Sequence, residues 1–201
     1  METLIIYQRA LKLVYLRAFE LTDLERTYKW HNDPGLYESV CGAYRYISRT
    51  SEKEWLENKS AFSNTELNLA ICLTENDEHI GNVFVRNIDW ISRSCNSAGA
   101  MIGNPEYRSK GYIQAAFLLF YRHVFRDLGL NRLEVQCLVE NKSIQYIAEK
   151  FNHKKEGLLR QIYFKDGDLK DAYIYSLLAK DFFELEVRLE DEAKAVVGES
   201  Q

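Results

Sequence analysis

Residues 105–113 have the composition and position most suited to chemistry, because they join a predicted strand to the most regular predicted helix. A loop that leads into a helix N-terminus collects backbone N–H groups without partners and the positive end of the helix dipole. Such a loop can hold a phosphate or pyrophosphate, and Arg108 and Lys110 would add charge-assisted hydrogen bonds. Gly111 by itself would more often mark a simple tight turn, so the context of the loop carries this interpretation.

The cysteines and histidines do not predict a metal or redox centre. The cysteines lack the paired spacing of a zinc site or a redox Cys-x-x-Cys, and we interpret them as reduced, partly buried apolar residues. The histidines are dispersed, and surface or packing roles are expected for them. The cysteines are Cys41, Cys72, Cys95 and Cys137, and the histidines are His31, His79, His123 and His153.

The hydrophobic pattern predicts the elements that position the loop. Apolar residues recur every three or four positions from Gln114 to Leu128, and Gly129 follows where a helix C-terminus favours a left-handed residue. Alternating patterns predict a strand before the loop, at about 95–103, and another after the helix, at 133–139. The loop is therefore expected between a strand and a helix N-terminus.

Two helices are expected near the N-terminus, after a first strand that begins near Leu11. The first helix ends before Pro34, and the second covers about 52–62, where Ser51-Glu52-Lys53-Glu54 has the form of a capping box. The connection between them either lines a pocket or plugs the edge of the core. This connection contains Tyr37, Tyr44 and Tyr46. Further strands are predicted at about 67–73, 80–88, 156–164 and 169–178, with a short helix at 143–151.

The composition fits one domain. The chain has 201 residues, a net charge of −4 and two prolines, which suits one core of ordinary size. The scattered Lys and Arg residues give no broad basic face, so nucleic acid is not an expected partner. No window resembles a signal peptide or a membrane span, and we expect a cytoplasmic protein. We expect a single domain over residues 1–183 and a charged tail, 184–201, that is a frayed helix or disordered.

The loop resembles the coenzyme A pyrophosphate loop of the GNAT acetyltransferases. That pattern is Arg or Gln, two residues, Gly, one residue, then Gly or Ala. Arg108 and Gly111 fit the pattern, and Ile113 departs from it by placing a larger side chain at the last position. Because the backbone donors do not depend on that side chain, the departure is expected to weaken phosphate binding at most.

Several other motifs resemble the GNAT branch that contains the ribosomal-protein N-terminal acetyltransferases, the RimJ and RimL type. Trp30-His31-Asn32-Asp33-Pro34 is similar to that branch's Trp-x-Asn-Asp-Pro signature. The resemblance covers about residues 13–182, and several spaced motifs in one order are more specific than a single glycine. The other matching stretches are Asn87-Ile88-Asp89-Trp90, Asp127-Leu128-Gly129-Leu130-Asn131-Arg132, Glu156-Gly157 and Asp166-Gly167.

The resemblance implies an α+β GNAT fold with a mixed, mostly antiparallel sheet of about seven strands and about four helices. The sheet would splay open between residues 98–103 and 133–140, and the pantetheine arm of acetyl-coenzyme A would pair there like an added strand. Asn141 matches a family asparagine that contacts this arm; the alternative is an asparagine that ends the strand or caps the next helix, and both roles can hold together. The implied coenzyme contacts are Met101, Ile102, Gly103, Arg108, Ser109, Lys110, Gly111, Tyr112, Ile113 and Asn141.

Two departures from the family concern proton transfer. Many members place a tyrosine seven residues after the asparagine, where this chain has Ala148. Tyr146 is then a candidate general acid, although two residues on a helix correspond to about 200° of rotation. The strand before the loop lacks the family glutamate, since it reads Asn96-Ser97-Ala98. Glu140 and Glu134 are candidate bases, unless they are merely solvated.

The resemblance implies an N-acetyltransferase that moves the acetyl group of acetyl-coenzyme A directly onto a primary amine, without a metal or a covalent enzyme intermediate. The acceptor would be a protein N-terminus or a small amine such as a polyamine or an amino sugar, with Trp30, His31 and Asn32 near the substrate. The alternatives are a non-catalytic coenzyme A sensor or interaction module, and a fold that has lost the coenzyme. A monomer or a homodimer is expected, with a possible dimer surface at Tyr163, Tyr173 and Tyr175.

Overall fold

The computed structural model describes residues 12–38 and 40–198 of the chain. Leu11, where the first strand was expected to begin, lies outside these residues. The strands are β1 (Val14–Ala18), β2 (Glu66–Leu73), β3 (His79–Asp89), β4 (Ser94–Ile102), β5 (Arg132–Leu138), β6 (Lys154–Lys165) and β7 (Asp168–Leu178). The α-helices are α1 (Leu24–His31), α2 (Pro34–Tyr37), α3 (Arg49–Ser60), α4 (Tyr112–Arg122), α5 (Lys142–Lys150) and α6 (Ala179–Gly198).

The seven strands form one sheet in the order β1-β2-β3-β4-β5-β7-β6. All neighbours are antiparallel except β4 and β5, which run parallel. Their pairing is confined to Ser94 with Arg132 and Cys95 with Leu133. The predicted α+β fold, with a mostly antiparallel sheet that is splayed at its centre, is therefore confirmed.

Side chains alternate between the two faces of the sheet, and each face has its own cover. On β2, Ile71 belongs to the large core that includes α4, whereas Ala70 packs with Leu56 of α3 and with Phe19. The large core also takes in the apolar stripe of α4, including Phe117 and Phe120, as the three-to-four-residue spacing predicted. The sheet is thus enclosed between α1 and α3 on one face and α4 and α6 on the other.

The helix count and the domain boundary differ from expectation. About four helices were predicted, but the described residues form six α-helices, of which α2 is a single turn. The predicted tail beyond residue 183 begins inside α6, where Leu185 and Leu189 are 1% and 4% exposed and join the core. Glu186 is also buried, and its carboxylate lies 2.7 Å from Nε of Arg122 on α4. The first turns of α6 are therefore part of the packed domain, because their apolar residues recur at helical spacing.

None of the helices formed by the described residues has the length and apolar character that a membrane crossing requires.

A buried histidine lies in the core beneath α5. The Nδ1 atom of His153 lies 3.2 Å from the backbone oxygen of Ala148, and its Nε2 lies 3.3 Å from the hydroxyl of Tyr121. Burial lowers the pKa of His153 from 6.5 to about 4. At neutral pH the imidazole is therefore uncharged, so it donates through Nδ1 and accepts from the tyrosine through Nε2.

We expect the free energy of unfolding to fall as the pH drops below about 6.5, because the unfolded chain binds a proton that folded His153 takes up only near pH 4. At full extent the loss is roughly 3 kcal/mol. His153→Gln removes this titration and should flatten the slope of stability against pH, measured by urea unfolding between about pH 7 and pH 5. His123→Gln, at an exposed histidine, should keep the wild-type slope. Equal slopes for wild type and His153→Gln would contradict the assignment.

Candidate functional site

The central feature of the site is the opening between β4 and β5. After Cys95 and Leu133 the two strands separate, and the edge of β4 over residues 96–102 has no strand partner on that side within the described chain. Exposed strand edges carry N–H and C=O groups that pair readily with an extended amide-bearing ligand. The opening is therefore a slot with hydrogen-bonding groups along one wall.

The loop that follows β4 is held by a carboxylate. Residues Pro105–Tyr107 form a 3₁₀ turn, and the hydroxyl of Tyr107 donates to Glu78 at 2.8 Å. This hydrogen bond is the first cause of a raised pKa of Tyr107, to about 12. The side chain of Asn104 donates to the same glutamate at 3.2 Å. Glu78 precedes β3, so the loop is tied to the start of the neighbouring strand.

The loop turns into α4 through two residues with positive φ, Ser109 at 60° and Gly111 at 88°. The first hydrogen bond of the helix joins the N–H of Ala115 to the oxygen of Gly111 at 3.0 Å. The backbone N–H groups of residues 109–114 find no acceptor elsewhere in residues 12–38 and 40–198. These N–H groups and the dipole of an eleven-residue helix form an anion-binding surface beside the opening.

Arg108 has a different task from the one expected. Its Nε and Nη2 atoms donate to the backbone oxygens of Ile102 and Gly103 at 3.1 and 3.0 Å. Nη2 also lies 3.9 Å from Asp33. The guanidinium therefore fixes the end of β4 through two of its nitrogens, whereas Lys110 is exposed at the tip of the loop.

The departure at Ile113 does not fill the loop. Its side chain is partly buried and packs against the large core. An amphipathic helix turns one face toward the core, and Ile113 lies on that face of α4. The larger side chain therefore leaves the N–H groups of the loop accessible.

Trp30 braces the end of β4. A Cβ atom added to Gly103 would lie 2.1 Å from Cδ2 of the indole, so only glycine allows this contact. The indole is 8% exposed and meets the ring of His79 edge-on, with 4.8 Å between centroids. His79 in turn contacts the carboxylate of Asp23 at 3.0 Å. Trp30, expected near the substrate, is thus a packing residue at the end of β4.

Asn32 is also engaged by the fold. Its amide nitrogen donates to the backbone oxygens of Tyr28 and Ile47, both at 3.0 Å, and its oxygen accepts from the N–H of Ile47 at 3.0 Å. These bonds fasten the chain before α3 to the end of α1. The polar groups of Asn32 are therefore not directed at a substrate.

His31, the third residue of this group, forms a pair that the sequence reading missed. Its Nδ1 lies 2.8 and 2.9 Å from the two carboxylate oxygens of Glu52. The predicted capping box at residues 51–54 is wrong, since α3 begins at Arg49 with Ser48 as its cap. Glu52 is freed from the helix end and turns toward α1. The only indication of this pair in the sequence was that Glu52 occupies a helix position that faces the core.

Residues 30–38 and 40–42, here called the bridging segment, cross the mouth of the opening. At one end Trp30 contacts Gly103 beyond β4, and at the other the thiol of Cys41 lies 3.5 Å from the backbone oxygen of Gln136 on β5. Burial raises the pKa of the Cys41 thiol. The segment thus touches both arms of the splayed sheet and closes one side of the slot.

Lys165 of β6 anchors the bridging segment. Its side chain is buried, and its ammonium donates to the backbone oxygen of Tyr37, to that of Val40 at 2.8 Å and to that of Gly42 at 3.5 Å. A buried ammonium is costly unless its donors are satisfied, and these carbonyls satisfy all three. No pattern in the sequence indicated this lysine, because its partners lie more than 120 residues away.

Helix α5 begins at the far wall of the opening. The side chain of Asn141 caps it by accepting from the N–H of Ile144 at 3.1 Å. Ala148 is buried against Cys137 and Tyr175. Tyr146 lies on the outer face of the helix, 51% exposed, with Nζ of Lys150 5.3 Å from its ring centre. The expected separation of positions 146 and 148 around the helix is therefore observed.

The two candidate carboxylates differ in their surroundings. Glu140 is exposed in the turn after β5. Glu134 is bound by Arg132 at 2.8 Å, and that arginine also holds Glu156 at 2.6 Å. Among the described residues, no group of three or more His, Cys, Asp or Glu is placed to hold a metal ion.

The tyrosines proposed for a dimer surface lie mostly within the subunit. Tyr175 is 1% exposed, and the hydroxyl of Tyr163 donates to the side chain of Gln136 at 2.5 Å. Tyr173 lies under the ammonium of Lys155, 3.7 Å from its ring centre. These residues cover the sheet of their own chain, because they alternate inward on adjacent strands.

Lys165→Met should release the bridging segment and expose Cys41 to thiol reagents. Each lost hydrogen bond to a charged group is worth roughly 1.5–3 kcal/mol, so labelling by a chromogenic disulfide should accelerate at least about tenfold. The other three cysteines are buried and should stay protected in the native state. Lys170→Met removes a lysine whose partner Asp168 is exposed, and it should leave the rate unchanged. A Lys165→Met protein that labels at the wild-type rate would contradict the anchoring role.

Comparison with known proteins identifies relatives of this site. The sequence over residues 14–153 matches the family described as the acetyltransferase (GNAT) domain. N-acetyltransferase p20 of Bacillus licheniformis, a protein of uncharacterised function, is 27% identical over 169 residues, which are 83% of this chain and 93% of p20. YdaF of Bacillus subtilis, provisionally named a ribosomal N-acetyltransferase, is 28% identical over 51% of this chain and 55% of its own.

A solved structure shares the architecture. The spermidine N-acetyltransferase of Vibrio cholerae, solved in complex with coenzyme A and spermine, superposes with a TM-score of 0.77. The alignment covers 85% of this chain and 98% of the other, at 23% identity, and therefore speaks for the fold alone. With the family match extending from β1 to His153, this chain belongs to the GNAT family of acetyltransferases.

Proposed function

We propose that the protein transfers the acetyl group of acetyl-coenzyme A to a primary amine in a ternary complex. The observation that carries this proposal is the opening between β4 and β5, with the N–H groups of residues 109–114 at one end. An unpaired strand edge suits the amides of pantetheine, and a helix N-terminus suits a pyrophosphate. Together they match the two chemically distinct parts of one coenzyme.

In this proposal each end of the coenzyme has its own residues. The pyrophosphate lies against the N–H groups of Ser109 to Ile113, with Lys110 free to pair with it. The pantetheine arm runs along β4 past Met101 toward the point where the strands meet. Ile102 and Gly103 form the end of that wall, where their backbone oxygens accept hydrogen bonds from Arg108. Asn141 is placed at the opposite wall, where its cap orients the start of α5.

The reaction needs positioning more than special chemistry. The amine attacks the thioester carbonyl, a backbone N–H on the splayed edge holds the oxyanion, and coenzyme A leaves as a thiolate. Tyr146 and Glu140 stay predictions for the acid and the base. Both are exposed, and Tyr146→Phe with unchanged turnover would remove the tyrosine from the mechanism.

The relatives are named for different acceptors, so no single relative defines the acceptor of this chain. The Vibrio cholerae enzyme is named for spermidine, and YdaF is provisionally named for ribosomal substrates. Both names describe N-acetyltransferases, and we infer from them an amine acceptor, either a small amine or a protein N-terminus, for this chain. Membership of the RimJ and RimL branch and a cytoplasmic location stay predictions.

The first test is release of coenzyme A thiol from acetyl-coenzyme A with polyamines, amino sugars, aminoglycosides and peptides bearing free N-termini. We expect turnover above background with one acceptor class. Calorimetry with coenzyme A runs in parallel. Binding without turnover on any acceptor would favour the sensor alternative, which the absence of a tyrosine at position 148 supports. A protein that neither binds coenzyme A nor acetylates any of these acceptors would overturn the proposal.

Gly111→Ala should weaken coenzyme A binding about tenfold. A residue with a Cβ disfavours the φ of 88° by roughly 1–2 kcal/mol, and relaxing it re-aims the N–H groups that face the phosphates. Gly167→Ala imposes the same backbone cost at φ 85° on the β6–β7 turn. It should lower the melting temperature similarly without changing the calorimetric Kd. Equal Kd values for both variants would show that the loop does not bind the pyrophosphate.

A further inference from the structure

The pair formed by His31 and Glu52 has the geometry of an oriented base. The carboxylate of Glu52 is 1% exposed, and both of its oxygens lie within 2.9 Å of Nδ1. A buried carboxylate at this distance accepts a hydrogen bond from Nδ1–H and so fixes the tautomer in which Nε2 carries the lone pair. The imidazole is 12% exposed, so it is reachable while its partner is not.

The second ring nitrogen of His31 is available. Nε2 has no hydrogen-bond partner in the part of the chain that the structure describes, and it is not among the polar atoms sealed in the interior. The indole of Trp55 meets the imidazole edge-on with 4.6 Å between centroids, which restricts rotation of the ring. An imidazole that is oriented by a carboxylate and has one free nitrogen is suited to accept a proton.

The other histidines do not offer this arrangement at the site. Both nitrogens of His79 are engaged, by Asp23 on one side and by Gly81 and Asn82 on the other. His153 is bonded at both nitrogens within the core. His123 pairs with Asp127 on the exposed turn after α4. That turn also precedes β5, on the far side of the sheet from α3.

His31 belongs to the bridging segment, which closes one side of the opening. Trp30, the preceding residue, contacts Gly103 at the end of β4. Tyr37 in the same segment is close enough to Glu52 that burial, then the charge of that carboxylate, raises the pKa of the tyrosine. Glu52 of α3 thus faces the imidazole, and Tyr37 of α2 lies near the same carboxylate.

We propose that His31 is the general base for the acceptor amine and that Glu52 is its positioning residue. This inference rests on the proposed acetyl transfer. Nε2 takes a proton from the ammonium of the acceptor, directly or through one water, and Glu52 stabilises the imidazolium. The neutral amine forms the C–N bond with the thioester carbon, the C–S bond breaks, and the thiolate takes the proton that the new amide nitrogen loses. The imidazolium then returns its proton to solvent.

The test compares His31→Gln with His123→Gln, which also removes an imidazole paired with a carboxylate. We expect His31→Gln to lower kcat/KM about 10²-fold at neutral pH and to leave the Kd for coenzyme A unchanged. The defect should shrink as the pH rises, because an amine that is already neutral needs no base. His123→Gln should match wild type at every pH. Glu52→Gln keeps an acceptor for Nδ1–H but loses the charge, and we expect a smaller loss with the same pH trend.

A pair of matched acceptors sharpens the test. An alkyl amine of the acceptor class that wild type uses has a pKa of about 10, and fluorination beside the nitrogen lowers the pKa of the amine. The His31→Gln defect should be several-fold smaller for the fluorinated acceptor. A purely structural role would give the same loss for both acceptors and would overturn the proposal, as would wild-type kinetics in His31→Gln. Inactive wild-type enzyme on every amine would instead refute the acetyl transfer itself.

Discussion

The separation of β4 from β5 after two residue pairs is the constraint on which the rest of the molecule depends. Two parallel strands at the centre of a sheet would ordinarily continue to pair, since each unpaired buried N–H or C=O costs free energy. Here they separate while α4 and α6 pack on one face of the sheet and the indole of Trp30 lies beside Gly103 at the end of β4. The slot thus lies within a packed sheet and is bordered by Trp30 at the end of β4.

The Trp-His-Asn-Asp-Pro motif distributes its residues among separate supports of this slot. The tryptophan packs on β4, the histidine binds α3, and the asparagine holds the chain before α3. Asp33 accepts from the N–H of Gly35 at 3.0 Å and starts α2. One short sequence therefore ties α1 to the end of β4 and to α3, and it starts α2.

Periodicity and turn residues predicted the order of the elements and the loop before α4, because these are local signals, whereas the splayed sheet was implied by the resemblance to the GNAT fold. The sequence did not predict the side-chain pairing of Glu52, which a capping box concealed, or the role of Arg108, whose charge suggested phosphate but whose donors serve Ile102 and Gly103. The end of the domain was placed too early because the charged residues of α6 hide two buried leucines. The other unpredicted features are contacts between segments that are distant in the sequence, and such contacts leave no local pattern.

The anchoring of the bridging segment by Lys165 has an implication for how such a site diversifies. The ammonium binds main-chain oxygens of Tyr37, Val40 and Gly42 and no side chain of that segment. The hold of Lys165 on the backbone at residues 37, 40 and 42 is therefore independent of the side chains at those three positions. Natural drift or directed evolution can exchange the tyrosines and the cysteine for other residues while the backbone stays in register. A lineage that preserves the lysine keeps this stretch of backbone in place while its side chains change.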